Sequence, residues 1–136
     1  MGNLAGSHWA IDLARKALSC PTRVHTEPMQ EKRAKPMTRS GLATGSQKCE
    51  YDVKLPCAIP GTNGHLKAVF TAPIVPDSDL PALLGLASMR RMRTIIDTTD
   101  NKVYLCGPGG YDLMQSLPPG TQCIQGKSAS SGHLMA

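Results

Sequence analysis

Leu80-Pro81-Ala82-Leu83-Leu84-Gly85-Leu86 runs into Ala87-Ser88-Met89-Arg90-Arg91-Met92-Arg93, then Thr94-Ile95-Ile96-Asp97, and then Lys102-Val103-Tyr104-Leu105. The apolar run Leu80–Leu84 is short enough for a strand, and Gly85 ends it. Leu86 to Met92 allows two turns of helix, with Leu86 and Met89 on one side. Ile95-Ile96 and Val103-Tyr104-Leu105 flank a polar turn at Thr99-Asp100-Asn101, which predicts a closing β-hairpin over 94–105.

Upstream, Cys49, Tyr51, Val53, Leu55 and Cys57 alternate with Glu50, Asp52, Lys54 and Pro56. This is the period-two pattern of a strand with one buried face. Pro56 lacks an amide donor, so that end of the strand is expected at a sheet edge or leaving the sheet. Met37–Ser40 precedes Gly41-Leu42-Ala43-Thr44-Gly45, where two glycines permit a reversal, so a hairpin is expected over about 37–57. Pro60-Gly61-Thr62-Asn63-Gly64 reads as a second turn, and Leu66–Val75 as extended chain interrupted at Pro73. Near the start, Trp9, Leu13 and Ala17 recur at helical spacing with Ala10 and Ala14 beside them. Ser7 is the expected N-cap, Cys20-Pro21 the stop, and Trp9 a core anchor. Thr22 to Pro36 has no periodicity and reads as a surface loop.

Composition agrees with a β-rich chain of many turns. One Trp, one Phe and three Tyr leave the core to aliphatic residues, while 13 Gly and 11 Pro favour short elements over a helix bundle. The length of 136 residues suits one domain, here residues 1–106, with 107–136 as a Gly/Pro/Ser-rich tail of little independent order. Five cysteines without a C-x-x-C pair cannot complete a disulfide framework in one chain, so a reducing compartment is expected. With neither a signal-peptide pattern nor an apolar run of membrane-spanning length, the expectation is a soluble, intracellular, cytoplasmic protein with no membrane partner. The net charge of +5 is concentrated in Lys32, Arg33, Lys35 and Arg39 and in Arg90, Arg91 and Arg93. Neither cluster is interleaved with aromatics, so nucleic acid is not the expected partner. The four histidines are scattered, Gly107-Pro108-Gly109-Gly110 lacks a following Lys-Ser/Thr, and neither cofactor nor metal is expected.

The stretch 80–105 resembles the second half of a retropepsin, the retroviral and retrotransposon type of aspartic protease. In that family an apolar-apolar-Gly strand end leads into a short helix and a final hairpin. The resemblance implies a mainly β fold with short helices, a partial retropepsin-like β-barrel or sandwich. Gly41, Leu42, Ala43, Thr44 and Gly45 are similar to the flap that closes over bound peptide. Leu83, Leu84 and Gly85 look like the strand that supports the active-site loop. Gly2–Trp9 looks like the segment that follows the catalytic triplet, where a helix starts soon after that loop.

The family's catalytic Asp-Thr/Ser-Gly triplet does not occur in these residues. The resemblance therefore implies a domain that begins just after its own catalytic loop and carries no catalytic residue. Asp97-Thr98-Thr99 is a decoy, because the third position of the true loop is a glycine that permits close approach to a symmetry mate. The family's chemistry needs two carboxylates, one from each half of a homodimer, sharing a proton to activate water against a peptide carbonyl. A complete relative would be an endopeptidase acting on polypeptide substrates, and this chain alone is expected to be inactive and to self-associate. Two rivals remain: a non-catalytic dimerisation or peptide-binding domain on the same scaffold, and a basic nucleic-acid-associated segment of a polyprotein.

Overall fold

The alternating run Cys49–Cys57 becomes the middle of a long strand in a four-stranded sheet. In the computed structural model, which describes residues 2–21, 26–42, 45–130 and 134–135, the chain is mainly β. It divides into two compact units, Asn3–Leu83 and a second formed by Leu84–Ala136 with residues 1–2.

The first unit opens with strand β1 (Ala5–Gly6), followed by helix α1 (Ser7–Leu18) and strands β2 (Met29–Leu42), β3 (Gly45–Gly61) and β4 (Gly64–Val75). The sheet order is β1-β4-β3-β2. β2, β3 and β4 are antiparallel neighbours, while β1 lies parallel to the end of β4, with Ala5 opposite Ile74 and Gly6 opposite Val75. The second turn cluster closes the β3–β4 hairpin as expected, through Thr62-Asn63 between the paired Gly61 and Gly64.

α1 lies on the sheet, and the reason is the apolar stripe read from its sequence. Ala10 is buried with Val53 and Leu55, against which Trp9, Leu13, Ala14 and Ile74 also pack. Trp9 meets Phe70 edge-on, with centroids 5.3 Å apart and planes at 73°. This geometry suits the ring quadrupoles and bears out Trp9 as an anchor. A second cluster joins Leu4, Cys49 and Val75.

Four expectations need correction. Ser7 is the first helical residue, and Gly6 is the N-cap, with no side-chain capping bond. Met29–Pro36 is strand, the first half of β2, and not loop; nearly every side chain in it is exposed, so no alternation marks it. β4 runs straight through Pro73, which pairs with Asp52 and has no paired strand on its other side among the described residues. Leu80–Leu84 is not a strand: Leu83 alone forms an isolated antiparallel bridge with Leu4. Pro56 lies within β3, but the last β3 residue paired with β2 is Lys54, so Pro56 has a neighbouring strand on one side only.

The second unit holds helix α2 (Leu86–Met92), the hairpin of β5 (Thr94–Asp97) and β6 (Lys102–Leu105), a 3-10 turn at Leu113–Ser116, and the short pair β7 (Lys127–Ser128) and β8 (Leu134–Met135). Helix and hairpin fall where the sequence places them. The tail carries more structure than its composition suggests. Asp112 caps the 3-10 turn by accepting from the Met114 amide at 3.0 Å, Arg90 donates to Ser128 Oγ at 2.7 Å, and the Arg93 guanidinium stacks 4.2 Å over the Tyr111 ring while donating to the Gly109 carbonyl.

Candidate functional site

Residues 3–8 are stitched into the first unit on both sides. On one side lies β4. On the other, the Leu4 amide donates to the Leu83 carbonyl at 3.1 Å and the Leu83 amide to Leu4 at 2.7 Å. The Gly6 amide donates to Leu80 at 2.8 Å and that of His8 to Ser78 at 3.1 Å. Ala5 is fully buried. Gly6 is there for space: a Cβ on it would come within 2.7 Å of the Leu80 nitrogen and closer still to the Ser78 carbonyl.

The flap-like residues sit at the tip of the β2–β3 hairpin. Gly41 and Leu42 end β2, Leu42 pairs with Gly45, and Gly45 takes φ +90°, a conformation that favours glycine. Ala43 and Thr44 lie outside the described residues. The supporting element is less buried than the resemblance implies, since Leu83 is 44 % and Leu84 47 % exposed, while Gly85 is buried and is the N-cap of α2.

Between α1 and the β2–β3 hairpin lies an open groove of about 470 Å³. Its floor is Ala10, Val53, Leu55 and Ile74, and its walls include the exposed side chains of Ile11, Met29 and Tyr51. The lining is mainly apolar, with Lys48, Glu50 and Asp77 among its polar members, and suits a side chain or an extended apolar segment.

Three of the aspartates, Asp97, Asp100 and Asp52, each hold a partner. The Asp97 carboxylate accepts the Thr99 amide at 2.9 Å, closing the β5–β6 turn. Asp100 pairs with Lys102 at 2.9 Å and Asp52 with Arg33 at 2.5 Å. Among the described residues no group of three His, Cys, Asp or Glu side chains is placed to hold a metal ion. The basic cluster Lys32, Arg33, Lys35 and Arg39 lies along the edge strand β2, where Arg33 also donates to the Lys35 carbonyl. Burial pushes the thiols of Cys49 and Cys57 above their ordinary range, whereas Cys20, Cys106 and Cys123 are exposed.

The sequence reading missed one polar arrangement. His8 lies between two carboxylates, Nδ1 at 2.8 Å from Asp79 and Nε2 at 3.2 Å from Asp77. The hydrogen bond to Asp79 is the main reason its pKa is raised. About seventy positions separate His8 from its partners, so no local spacing could reveal it.

Among the described residues no helix is long and apolar enough to cross a membrane. Compared with protein-family models, curated proteins and solved structures, the chain matches none.

Proposed function

We propose that this chain forms the part of a retropepsin-type aspartic endopeptidase that follows the catalytic loop, and that it has no proteolytic activity by itself. One observation carries this reading: residues 3–6 run between β4 and the backbone of residues 80–83, bonded to both. A segment arriving from a catalytic loop would be held this way, beside an apolar-apolar-Gly element that leads to a helix and a hairpin. In such a protein the loop's aspartate would work with its symmetry mate to activate water, and the β2–β3 hairpin would lie over the bound polypeptide. The absence of an Asp-Thr/Ser-Gly triplet from these residues leaves this chain without the nucleophile's activator.

The expected outcome with the purified chain is no pepstatin-sensitive cleavage of peptide substrates at acid pH. Clear cleavage abolished by Asp97→Asn would overturn the reading and make Asp97 catalytic. Sequencing the transcript upstream of the Met1 codon tests the family assignment separately. An in-frame Asp-Thr/Ser-Gly preceded by strand-like sequence supports it, and unrelated sequence counts against it.

A second reading has its own support. The apolar groove between α1 and the β2–β3 hairpin would hold an extended peptide without cutting it. Peptide binding that survives with no detectable cleavage, and that weakens on Tyr51→Ala, would favour this binding domain.

A further inference from the structure

α1 covers only part of its sheet. Trp9, Ala10 and Leu13 pack on Val53, Leu55 and Phe70 of β3 and β4. Ser7, Ile11, Ala14 and Leu18 recur at spacings of three and four, so they share a different side of the helix. On that side Ile11 and Leu18 are exposed, and Ser7, Ile11 and Ala14 form one wall of the groove. Across it the sheet is bare, and Met29 and Tyr51 are exposed there as well. A helix wall beside an uncovered sheet face is an incomplete layer that a further segment can complete.

Charge identifies the class of that segment. The acids of the groove are already engaged: Glu50 faces Lys48 Nζ at 3.8 Å, and Asp77 meets His8 Nε2 at 3.2 Å. The one acid of α1, Asp12, has Lys16 four positions on, where opposite charges on a helix attract. Two cations are left over. Arg15 lies four positions after Ile11, on the same helix wall. Lys32 is paired in register with Tyr51, so its side chain shares the groove's face of the sheet. Both are exposed, and among the described residues neither has an ion-pair partner. They stand on opposite sides of the groove, one on the helix and one on the edge strand.

We propose that the groove receives an extended acidic polypeptide segment, which seats a large apolar side chain between Ile11, Met29 and Tyr51 while flanking carboxylates meet Arg15 and Lys32. This rests on the binding-domain reading and gives its ligand a chemical class. The apolar anchor supplies most of the affinity, and the rim charges supply the choice of partner and the rate of approach. The net charge of +5 adds a longer-range attraction for acidic segments and repels basic ones. Neither the hairpin tip nor a catalytic loop takes part.

Three fluorescein-labelled hexapeptides test it, each with a central Leu-Phe pair flanked on both sides by two Glu, two Gln or two Lys. Anisotropy titrations of the full chain at low ionic strength should rank them Glu, Gln, Lys, with about tenfold or more in Kd between first and last. The preference should shrink in about 0.5 M salt. Tyr51→Ala weakens the Glu and Gln peptides alike, because it removes the seat of the anchor. Lys32→Glu raises the Kd of the Glu peptide about threefold or more, and Arg15→Glu added to it makes the Lys peptide the best binder. That gain is one a misfolded chain could not show. Lys67→Glu changes the net charge equally, but Lys67 pairs with Ala58, out of phase with Leu55 and Phe70 and so on the opposite face of the sheet. It should leave Kd within about twofold. Equal binding of all three peptides would overturn the acidic assignment and leave the binding domain standing, whereas binding of none would overturn both. A Glu-peptide signal that survives Tyr51→Ala and yields to oligothymidylate more readily than to unlabelled peptide would make the rim a nucleic-acid surface and overturn the proposal.

Discussion

Gly6 shows how one residue's lack of a side chain can hold a fold together. Its φ of −81° is open to any residue, so the requirement is clearance and not conformation. Backbone of Ser78 and Leu80 occupies the space where a Cβ would go, and backbone cannot rotate away as a flexible side chain would. Gly6→Ala must therefore push β1 off either β4 or the 78–83 segment. Overpacking of this kind costs about 1–3 kcal/mol, and a urea midpoint is the direct measure. A midpoint unchanged from wild type would show that residues 3–8 are not held between these two partners. The sequence displayed Gly6 in a small-residue run but gave no hint of this role, because the atoms it makes room for lie more than seventy positions away.

At the scale of elements, α1 begins without local help. Its N-cap is a glycine, its first turn contains no acidic residue, and His8 stands there instead. A positive imidazolium at a helix N-terminus opposes the helix dipole, and Asp77 and Asp79 from the chain after β4 offset it. Because the pKa of His8 is raised on folding, this link contributes fully below the ordinary value of 6.5 and is lost as pH rises through the raised one. An NMR titration of His8 should therefore show a midpoint above 6.5, lowered more by Asp79→Asn than by Asp77→Asn. Equal or absent shifts would sink this account. β3 and α1 were legible from apolar positions on one buried face, whereas α2 and the β5–β6 hairpin were legible from short apolar runs around a polar turn, although none of their apolar side chains is buried. The first half of β2 lies exposed on both faces and so carries no period to read. Leu80–Leu84 has the opposite fault. Its apolar run suggests a strand, yet Leu83 and Leu84 are about half exposed, and the positions bonded to residues 4 and 6, Leu83 and Leu80, lie three apart, which breaks the two-residue repeat of a ladder. Of the candidate site, the hairpin carrying Gly41–Gly45 was legible from its glycines. The groove beneath α1 was not, since it joins residues from a helix and three strands.

At the scale of the whole molecule, burial is unevenly shared. Every buried hydrophobic side chain among the described residues, from Leu4 to Val75, belongs to the unit Asn3–Leu83. Among the described residues from Leu84 onward the buried ones are Gly85 and Ser88, while Ile96, Val103 and Tyr104 of the hairpin are exposed. Each fully buried Leu or Phe adds about 1.5–3 kcal/mol, and the described residues of the second unit include none to offset the entropy of ordering its backbone. It relies on short ladders and on single contacts such as Arg93 over Tyr111, which is worth only about 0.5–1 kcal/mol where solvent reaches it. Native-state hydrogen exchange should therefore be graded along the chain. Amides at Val53, Leu55, Phe70 and Ala72 are expected to exchange only through global unfolding, with free energies that fall with denaturant at the global slope. Amides of β5, β6 and β7 are expected to exchange through local opening, with lower free energies insensitive to dilute denaturant. If the β5–β6 amides prove as protected as those of β3 and β4, exposed hairpin side chains such as Ile96 and Val103 must be covered in solution, and the division of stability between the two units falls.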